Sequence, residues 1–518
     1  MDRGGLEKLL EELGPDSRRL RHALMLLCEG RWWSLADLVR HAATSRRALE
    51  ALLREVELER WGDRFRVPPA CAPGYRDLLP LTPPPADPVE HLLPRHGEVL
   101  ARLEELVAKA PRARRQLDHV AATPETVLRR ALLLGARFWL PGSRLLCVGD
   151  HDLTSLAVKL VHPEVDVTVV DVDDRILAYL DEQDLGVRTR WADLRLGLPP
   201  SARGHDLAFT DPPYTPEGVG LFVARAVEGI ADEGRVLLAY GASERTPMLA
   251  LKVQSSLSDL NLAYEAIYPD FNRYFGAEAI GSAADLYVLR PTSKTRPAVA
   301  ARVETYGTAI YTHGPQSVEA AATGPVAVPA EFGEAAWDVL VGEWPRQLGA
   351  PRVKPATWLA RPYQGRQERV AVALPPGMEA ALPRVLLAAG AEHVRVWLAE
   401  PPRELERLRR ALSPVFRLEA RGSVVDAFRK PGPASDPAEE VARRILARGH
   451  GKMANAWREG IIAASGERRL TKNEARAVLR EVAPWVADLT PVEAPLHRLE
   501  ELPAAVRASL RTGRAGPG

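Results

Sequence analysis

Three short apolar runs between residues 144 and 215 constrain the fold of this chain more than any other feature. The first, Arg144–Val148, is followed by Gly149-Asp150-His151-Asp152, the second ends at Asp171, and the third ends at Asp211. Apolar runs of this kind are typical of buried parallel strands, whose carboxyl ends line the ligand crevice of an open α/β sheet. The sequence therefore predicts a parallel sheet with acidic residues along its crevice.

The stretch from residue 144 to residue 290 alternates strand patterns with helix patterns, which predicts a mostly parallel, doubly wound sheet. The last two strands have only a loop between them, so we expect a final antiparallel hairpin, as in methyltransferase-like Rossmann folds. The fold class predicted for the chain is α/β. The predicted strands are 144–149, 166–172, 187–192, 206–210, 235–240, 263–268 and 284–290.

The domain organisation is predicted from composition and from proline-rich boundaries. A chain of 518 residues has room for about three domains of roughly 150 residues each, and no internal repeat is visible in its sequence. The predicted segments are a winged-helix-like domain (1–67), a linker and helical strap (68–122), the Rossmann-like domain (123–315), an α/β accessory domain (331–430) and a helical carboxyl-terminal domain (436–512).

The amino-terminal segment has three helix patterns followed by a hairpin pattern around Gly62-Asp63, which together predict a winged helix. A winged helix can bind DNA, or it can mediate dimerisation or cover a substrate. Residues 1–67 carry 13 Lys and Arg against 12 Asp and Glu, and the whole chain has a net charge of +1. Because DNA-binding domains normally have a basic surface, this balance argues against a nucleic-acid partner.

Several other classes of protein are disfavoured by the sequence. The three cysteines, Cys28, Cys71 and Cys147, are too widely spaced to suggest a disulfide framework or a zinc site, so we expect no metal. No signal-peptide pattern is present at the start, and no apolar run approaches the ~18 residues that span a bilayer. We therefore expect a cytoplasmic protein without a membrane partner.

The loop after the first strand, Gly149-Asp150-His151-Asp152, differs from the glycine-rich loop that binds a dinucleotide. Two carboxylates stand where later glycines would let the backbone approach a phosphate. They would repel phosphate and attract ammonium or sulfonium groups, which makes NAD and ATP poor candidates. Alternatively, Asp150 or Asp152 caps the helix that follows.

Two further carboxylates follow the next two strands. Asp171 lies 22 positions after Gly149, and a carboxylate about 20 residues after the glycine loop commonly binds ribose hydroxyls. Asp193 follows the third strand, where it could meet an adenine amino group. The alternative for Asp171 is a surface residue, since Asp173 and Asp174 are close by.

The sharpest motif is Asp211-Pro-Pro-Tyr214 with Thr215 after it. Prolines directly after a strand end the sheet and fix the turn, and the turn holds the carboxylate and the tyrosine ring over the crevice. An aliphatic amine has a pKa near ~10 and arrives protonated, so a carboxylate there could bind it and take or relay its proton. The alternative is a purely structural turn.

At these residues the sequence resembles the branched-chain polyamine synthases, also called bis(aminopropyl)spermidine synthases, over roughly residues 15–315. The combination of motifs is specific, although Asp-Pro-Pro-Tyr alone also occurs in amino-methyltransferases that act on nucleobases. The matching stretches are Thr123–Thr126 with Arg129-Arg130, Val148–Thr154, Asp171–Asp173, Asp193–Arg195, Asp211–Thr215, Asn272–Ser282 and Asp285–Tyr287.

The resemblance implies a winged-helix-like domain on a Rossmann-like catalytic domain, usually in a homodimer. It implies transfer of an aminopropyl group from decarboxylated S-adenosylmethionine to an amine, with spermidine or a related polyamine as acceptor. Asp211 and Tyr214 would be catalytic. Donor binding is expected at Gly149, Asp150, Asp152, Asp171 and Asp193, and acceptor binding at Asp150, His151, Asp152, Asp211, Tyr214 and Glu278. His151 departs from the family loop, which has an acid there.

Two other functions compete with this interpretation. A methyltransferase that uses S-adenosylmethionine on an amine or nucleobase would share the fold and the Asp-Pro-Pro-Tyr motif. The acidic first loop favours the decarboxylated donor, because the carboxylate of S-adenosylmethionine would lie beside it. A polyamine-sensing regulator is the third possibility. For residues 331–518 we expect no chemistry, but a role in covering the crevice, recognising the acceptor or mediating assembly.

Overall fold

The computed structural model describes residues 3–14, 17–79, 87–243, 246–303, 306–307, 309–314, 317, 332–333, 336–365, 367–466 and 470–515. These residues form two compact units. The first contains Met1–Asp166, Asp206–Thr305 and Ile310–Thr312, and the second contains Val167–His205, Tyr306–Ala309 and His313–Gly518. Two segments lie largely outside the described residues. Residues 80–86, the proline-rich part of the predicted linker, are wholly outside them, and so are most of residues 300–330.

Helices and strands alternate along most of the chain, which confirms the predicted α/β class. The helices are α1 (Gly4–Leu13), α2 (Ser17–Cys28), α3 (Leu35–Ala42), α4 (Arg46–Glu55), α5 (Gly97–Lys109), α6 (Pro124–Arg137), α7 (Thr154–Val161), α8 (Asp174–Glu182), α9 (Pro216–Gly229), α10 (Pro247–Asp259), α11 (Thr295–Arg302), α12 (Pro355–Ala360), α13 (Leu382–Ala388), α14 (Leu405–Leu412), α15 (Pro437–Leu446), α16 (Met453–Ala463), α17 (Lys472–Val482) and α18 (Leu496–Ala515). The strands are β1 (Glu59–Trp61), β2 (Arg64–Arg66), β3 (Arg144–Val148), β4 (Asp166–Asp171), β5 (Arg188–Trp191), β6 (His205–Thr210), β7 (Ile230–Tyr240), β8 (Leu262–Arg273), β9 (Ala283–Pro291), β10 (Val339–Val341), β11 (Arg352–Val353), β12 (Arg369–Ala373), β13 (His393–Trp397), β14 (Phe416–Arg421) and β15 (Val424–Arg429).

The amino-terminal part of the first unit is a small helical layer with a two-stranded sheet. Helices α1 to α4 pack around one apolar core, which includes Leu24, Leu38 and Leu52. Strands β1 and β2 pair antiparallel, as the predicted hairpin requires. The elements expected for a winged helix are thus present, while the winged-helix assignment itself stays a prediction.

The sheet of the first unit has the strand order β3-β6-β7-β9-β8. Strands β3 and β6 are parallel, with Val148 opposite Thr210, and β9 pairs antiparallel with both β7 and β8. The final antiparallel hairpin predicted from the sequence is therefore present. Strand β8 extends to Arg273, beyond the predicted 263–268. The prediction stopped short because irregularities in the pairing of β8 with β9 interrupt the alternating pattern of side chains.

Residues 90–109 do not form one continuous α-helix. Residues Glu90–His96 form a 3-10 turn that contains Pro94, and the α-helix begins at Gly97. Proline removes a hydrogen-bond donor and clashes with the preceding turn, so a continuous α-helix through Pro94 is disfavoured.

The second unit contains strands β4 and β5, which are parallel and end near Asp171 and Trp191. It also contains a six-stranded sheet with the order β11-β10-β12-β13-β15-β14, in which β10, β12 and β13 are parallel and β13, β15 and β14 are antiparallel. The short strands β10 and β11 were missed from the sequence because two or three residues are too few to show a period. Helices α15 to α18 complete the unit.

The two sheets share a strand order that is not visible in the sequence. Taken in chain order, the five strands β3, β6, β7, β8 and β9 are arranged 1-2-3-5-4, and so are β10, β12, β13, β14 and β15. The sequence shows no internal repeat, and the correspondence between the two sheets is one of strand order alone. The equivalent strands share the fold's order while differing in residue identity, so the repeat appears only in the structure.

The described residues contain neither a candidate membrane-spanning helix nor a candidate metal site. No helix in this part of the chain is long and apolar enough to cross a membrane. Within the same residues, no three His, Cys, Asp or Glu side chains come together as metal ligands.

Candidate active site

The turn after β6 is built by the sequence Asp211-Pro-Pro-Tyr-Thr215. Thr215 is the N-cap of α9 and accepts a hydrogen bond from the backbone N–H of Gly218 at 2.9 Å, and Pro216 occupies the first turn of the helix. A Cβ atom at Gly218 would lie 2.6 Å from the carbonyl oxygen of Pro213, so only glycine lets the helix pack against this turn. The turn therefore fixes Asp211 at the carboxyl end of its strand.

The carboxylate of Asp211 accepts hydrogen bonds from three side chains. The hydroxyl of Tyr214 donates to Oδ1 at 3.0 Å, while the hydroxyl of Tyr274 and the guanidinium of Arg130 donate to Oδ2 at 2.7 and 2.6 Å. The two tyrosine hydroxyls lie 3.0 Å from each other. Burial raises the pKa of each tyrosine well above its usual value, so both phenols remain protonated donors at neutral pH.

Arg130 is the centre of this arrangement, and its side chain is completely buried. One terminal nitrogen donates to Asp211 and the other donates to Asp152 Oδ2 at 2.9 Å and to Thr154 at 3.1 Å. Its Nε donates to the amide oxygen of Asn272 at 2.8 Å. One guanidinium thus joins helix α6 to the ends of three strands and neutralises one of two buried carboxylates.

The two carboxylates differ in their proton affinity. Burial and then the negative charge of Asp152 raise the pKa of Asp211, Arg130 opposes both effects, and the resulting pKa is about 7. Burial also acts to raise the pKa of Asp152, but Arg130 and hydrogen bonding to Asp211 outweigh it and hold that pKa below its usual range. The pair therefore has one group that stays ionised and one that titrates near neutral pH.

The first loop holds its two acids in different ways. Gly149 has a φ of +74°, a conformation that favours glycine, and it turns the chain after β3. Asp150 accepts hydrogen bonds from the backbone N–H and the hydroxyl of Ser155, so it caps the start of α7, as the alternative reading of the loop allowed. Asp152 also accepts the backbone N–H of Ala122 at 2.9 Å. Only Asp152 joins the cluster around Arg130.

Two other predicted site residues, His151 and Glu278, also belong to the first unit. The ring of His151 stacks on that of His119, with centroids 4.2 Å apart and planes inclined by 15°. Glu278 lies in a short 3-10 turn after β8 and pairs with Arg46 of α4 at 2.7 Å. This ion pair ties the loop after β8 to the amino-terminal helices.

The remaining predicted residues, Asp171 and Asp193, belong to the second unit. Both are buried, and Asp171 accepts the backbone N–H of Asp173 at 2.8 Å. Asp193 receives two hydrogen bonds from the Arg195 side chain, from Nε at 2.8 Å and from a terminal nitrogen at 2.6 Å. This bidentate pairing fixes the Asp193 carboxylate at the end of β5.

Comparison with known proteins identifies the part of the chain that carries the site. Residues 98–313 match the family model of the branched-chain polyamine synthase A C-terminal domain. This part of the chain is similar to the branched-chain polyamine synthase family. The match covers less than half of the 518 residues, and the amino-terminal helices and the carboxyl-terminal sheet lie outside it.

Relatives of the branched-chain polyamine synthase region include an N(4)-bis(aminopropyl)spermidine synthase of Methanocaldococcus jannaschii, 31% identical over 193 residues, which are 35% of this chain and 54% of the relative. An uncharacterized protein of the same organism is 34% identical over 190 residues, covering 36% of this chain and 48% of the relative. The chain thus spans about half the length of these curated relatives. A structure of the Thermus thermophilus branched-chain polyamine synthase, in complex with N4-aminopropylspermidine and 5'-methylthioadenosine, is 20% identical, with a TM-score of 0.40, and covers 57% of this chain and 96% of that one.

Three residues of the site were not assigned a role from the sequence, namely Arg130, Asn272 and Tyr274. All three lie in stretches that carried the resemblance, so the signal was present. Tyr274 follows the irregular end of β8 and pairs with Ala122 in an isolated β-bridge, which brings it back toward α6. Strand periodicity cannot reveal a contact made beyond an interrupted strand.

Proposed function

We propose that this protein is an aminopropyltransferase, which moves the aminopropyl group of decarboxylated S-adenosylmethionine to an amine of a polyamine. The observation that carries the proposal is the buried Asp211 carboxylate, which Arg130 and two tyrosines hold in place and whose pKa is raised to about 7. A carboxylate of this kind can bind an amine and accept its proton at neutral pH. The family of residues 98–313 supports the same reaction.

The proposed reaction is a substitution at the aminopropyl carbon bonded to the sulfonium. The lone pair of the acceptor nitrogen forms the new N–C bond while the C–S bond breaks, and the bonding electrons pass to sulfur. The leaving group is the neutral thioether 5'-methylthioadenosine, and the proton of the acceptor nitrogen goes to Asp211. Tyr214 and Tyr274 orient the carboxylate throughout, since each donates to one of its two oxygens.

The charges of the cluster suit a cationic acceptor. One guanidinium faces two carboxylates, so a single negative charge remains when both acids are ionised and none remains when Asp211 is protonated. An ammonium group would therefore be attracted most strongly above the pKa of Asp211. Once the acceptor has lost its proton to Asp211, the cluster becomes neutral and stabilises the product less.

The names of the relatives support spermidine as the acceptor and a branched product. Donor binding by Gly149, Asp150, Asp152, Asp171 and Asp193 stays a prediction, as do the roles of His151 and Glu278 toward the acceptor. The homodimer and the cytoplasmic location also stay predictions.

The test is a reaction of the purified protein with spermidine and either donor, followed by mass spectrometry. We expect products larger by one or two aminopropyl groups with decarboxylated S-adenosylmethionine and no product with S-adenosylmethionine. Methylated spermidine as the sole product would overturn the proposal and favour the methyltransferase. Asp211→Asn, measured in parallel, shows whether any product depends on this site.

A further inference from the structure

We propose that the carboxyl-terminal part of the second unit is a positioning module for the donor-binding carboxylates, with Arg384 as its main positioning residue. This inference rests on the proposed function, which assigns Asp171 and Asp193 to the donor. It concerns residues 337–515, which lie outside the family match.

The carboxyl-terminal sheet repeats the topology of the first sheet without an acid at the position of Asp211. Val148 of β3 is opposite Thr210 of β6, and the next residues are Gly149 and Asp211. In the second sheet Val341 of β10 is opposite Val372 of β12, and the next residues are Gly342 and Ala373. Ala373 therefore holds the position of Asp211, so this sheet offers no carboxylate there to accept a proton.

The loop equivalent to Gly149–Asp152 is Gly342-Glu343-Trp344-Pro345, which keeps one acid, Glu343, and has proline in place of Asp152. Trp344 occupies the position of His151, counted from the equivalent glycine, and it is buried in an apolar cluster with Phe332 and Trp337. Its ring centroid lies 5.0 Å from that of Phe332, and its Nε1–H donates to the carbonyl oxygen of Val341. A packed aromatic cluster stabilises the sheet but has no group suited to a charged amine.

Arg384 provides the main link between this module and the strand that ends at Asp171. Its two terminal nitrogens donate to the two oxygens of Asp174, at 3.0 and 2.8 Å, and the guanidinium lies 4.3 Å from the ring centroid of Trp191 at the end of β5. The residue is fully buried and also donates to the carbonyl oxygen of Ala494. Bidentate pairing of this kind fixes direction as well as distance.

The Asp174 carboxylate also lies at the start of helix α18. The backbone N–H of Leu496, the first residue of that helix, donates to Asp174 at 2.7 Å. An anion at a helix amino terminus is favoured by the unpaired N–H groups and by the helix dipole. Because Asp174 begins α8, three residues after Asp171, two elements of the module restrain the turn that presents the predicted ribose-binding residue.

The other predicted donor residue is restrained from the same side. Arg195 holds Asp193 and also donates to the carbonyl oxygen of Gly377, in the loop after β12. The backbone N–H of Trp191 donates to the carbonyl oxygen of Glu493 at 2.8 Å, although Trp191 belongs to β5. Both strand ends that carry predicted donor ligands therefore depend on residues of the module.

The experiment compares Arg384→Met, Arg384→Lys and Asp174→Asn with the wild type. Donor affinity is measured by calorimetry with decarboxylated S-adenosylmethionine, and KM and kcat are measured for donor and acceptor separately. We expect the donor Kd and KM to rise about tenfold or more in Arg384→Met, with acceptor KM and kcat within about twofold, because the lost interaction positions the donor site only. Arg384→Lys keeps the charge without the fork and should give a smaller rise.

The matched control is Arg443→Met, which removes an arginine of the same module whose carboxylate partner, Glu440, lies on its own helix. It should leave donor affinity unchanged. Unchanged donor affinity in folded Arg384 variants, or an equal loss in the control, would overturn the inference. If Arg384→Met does not fold, Arg384→Lys and Asp174→Asn decide by the same criterion. Wild-type protein that binds no donor at all would instead refute the proposed function, and this inference with it.

Discussion

Replacing Arg130 by methionine should shift the pH dependence of the reaction, because this side chain sets the proton affinity of Asp211. The variant keeps an unbranched apolar stem and removes the guanidinium, whose charge lies within hydrogen-bonding distance of both Asp152 and Asp211. Since a general base must be ionised, kcat/KM of the wild type should rise with pH through the pKa of Asp211, near 7. Without the guanidinium, the same rise should occur at higher pH.

The size of the shift follows from Coulomb's law. Two unit charges about 4 Å apart interact by about 4 kcal/mol at an effective dielectric constant of about 20, and one pKa unit corresponds to about 1.36 kcal/mol. The upper bound is therefore about three pH units. Tyr214 and Tyr274 still donate to the carboxylate, and water can enter the vacated space, so we expect a rise of about one to two pH units.

Stability should fall in the same variant. Removing one partner of a buried ion pair typically costs about 3–5 kcal/mol, since the remaining carboxylates are left without compensation. Urea denaturation at pH 8 measures this loss. Steady-state kinetics on the folded fraction, with donor and acceptor varied across a series of pH values, gives the pH profile of kcat/KM. The loss should become smaller at pH 5, where a proton can replace the missing positive charge.

Arg129→Met is the matched control, since Arg129 is the neighbouring residue on α6 and is also buried. Its guanidinium donates to the carbonyl oxygen of Phe271 and to Asp87. These partners differ from Asp152 and Asp211, the two carboxylates that pair with Arg130. We expect this variant to lose stability while its pH profile stays at the wild-type position. Equal pH profiles for wild type and Arg130→Met would refute the assignment of Arg130 as the residue that tunes Asp211.

Further predictions concern the same groups. Asp211→Asn should fold and lose turnover by about two orders of magnitude or more, while Asp206→Asn at the start of the same strand keeps it; steady-state kinetics checks both. Because the pKa of Asp211 is raised on folding, its contribution to stability is present below about pH 4 and is lost as pH rises through about 7, so Asp211→Asn should gain stability relative to wild type across that window in urea titrations. A chain ending near residue 320 lacks the partners of Asp174 and Trp191, so we expect it to lose donor binding or solubility; full donor affinity in calorimetry would contradict this.

Much of the sheet that carries the site could be predicted, because its strands are strongly apolar and its helices have clear ends. Strand β3 was predicted at 144–149 and lies at Arg144–Val148, and β6 was predicted at 206–210 and lies at His205–Thr210. The failures came where local chemistry interrupts a period. Pro94 ends a helix pattern, and the irregular pairing of β8 hides its last residues.

The acidic loop shows why residue types alone could not assign roles within the site. The sequence predicted that Asp150 and Asp152 attract a cation, and this stays a prediction; in the structure Asp150 accepts a hydrogen bond from Ser155 and Asp152 is paired with Arg130. A carboxylate's role depends on which donors the fold brings to it, and Arg130 is 22 positions away in the chain. Asp211 lies in the cluster, where the prolines fix its turn locally, and its catalytic role stays a prediction.

The shared strand order lets equivalent positions of the two sheets be compared. In the first sheet the residue after β6 is Asp211, and in the second sheet the equivalent residue is Ala373, the last residue of β12. The second sheet keeps the strand order and the packing that depends on it. It lacks an acid at the position of Asp211, and with it the chemistry proposed for that acid. Arg384 then gives this second sheet a use that requires no acid of its own, since it holds Asp174 and lies against Trp191 at two strand ends of the same unit. On this view, selection on the carboxyl-terminal part would act on buried contacts such as these, and substitutions there should change how tightly the donor binds before they change the rate of transfer.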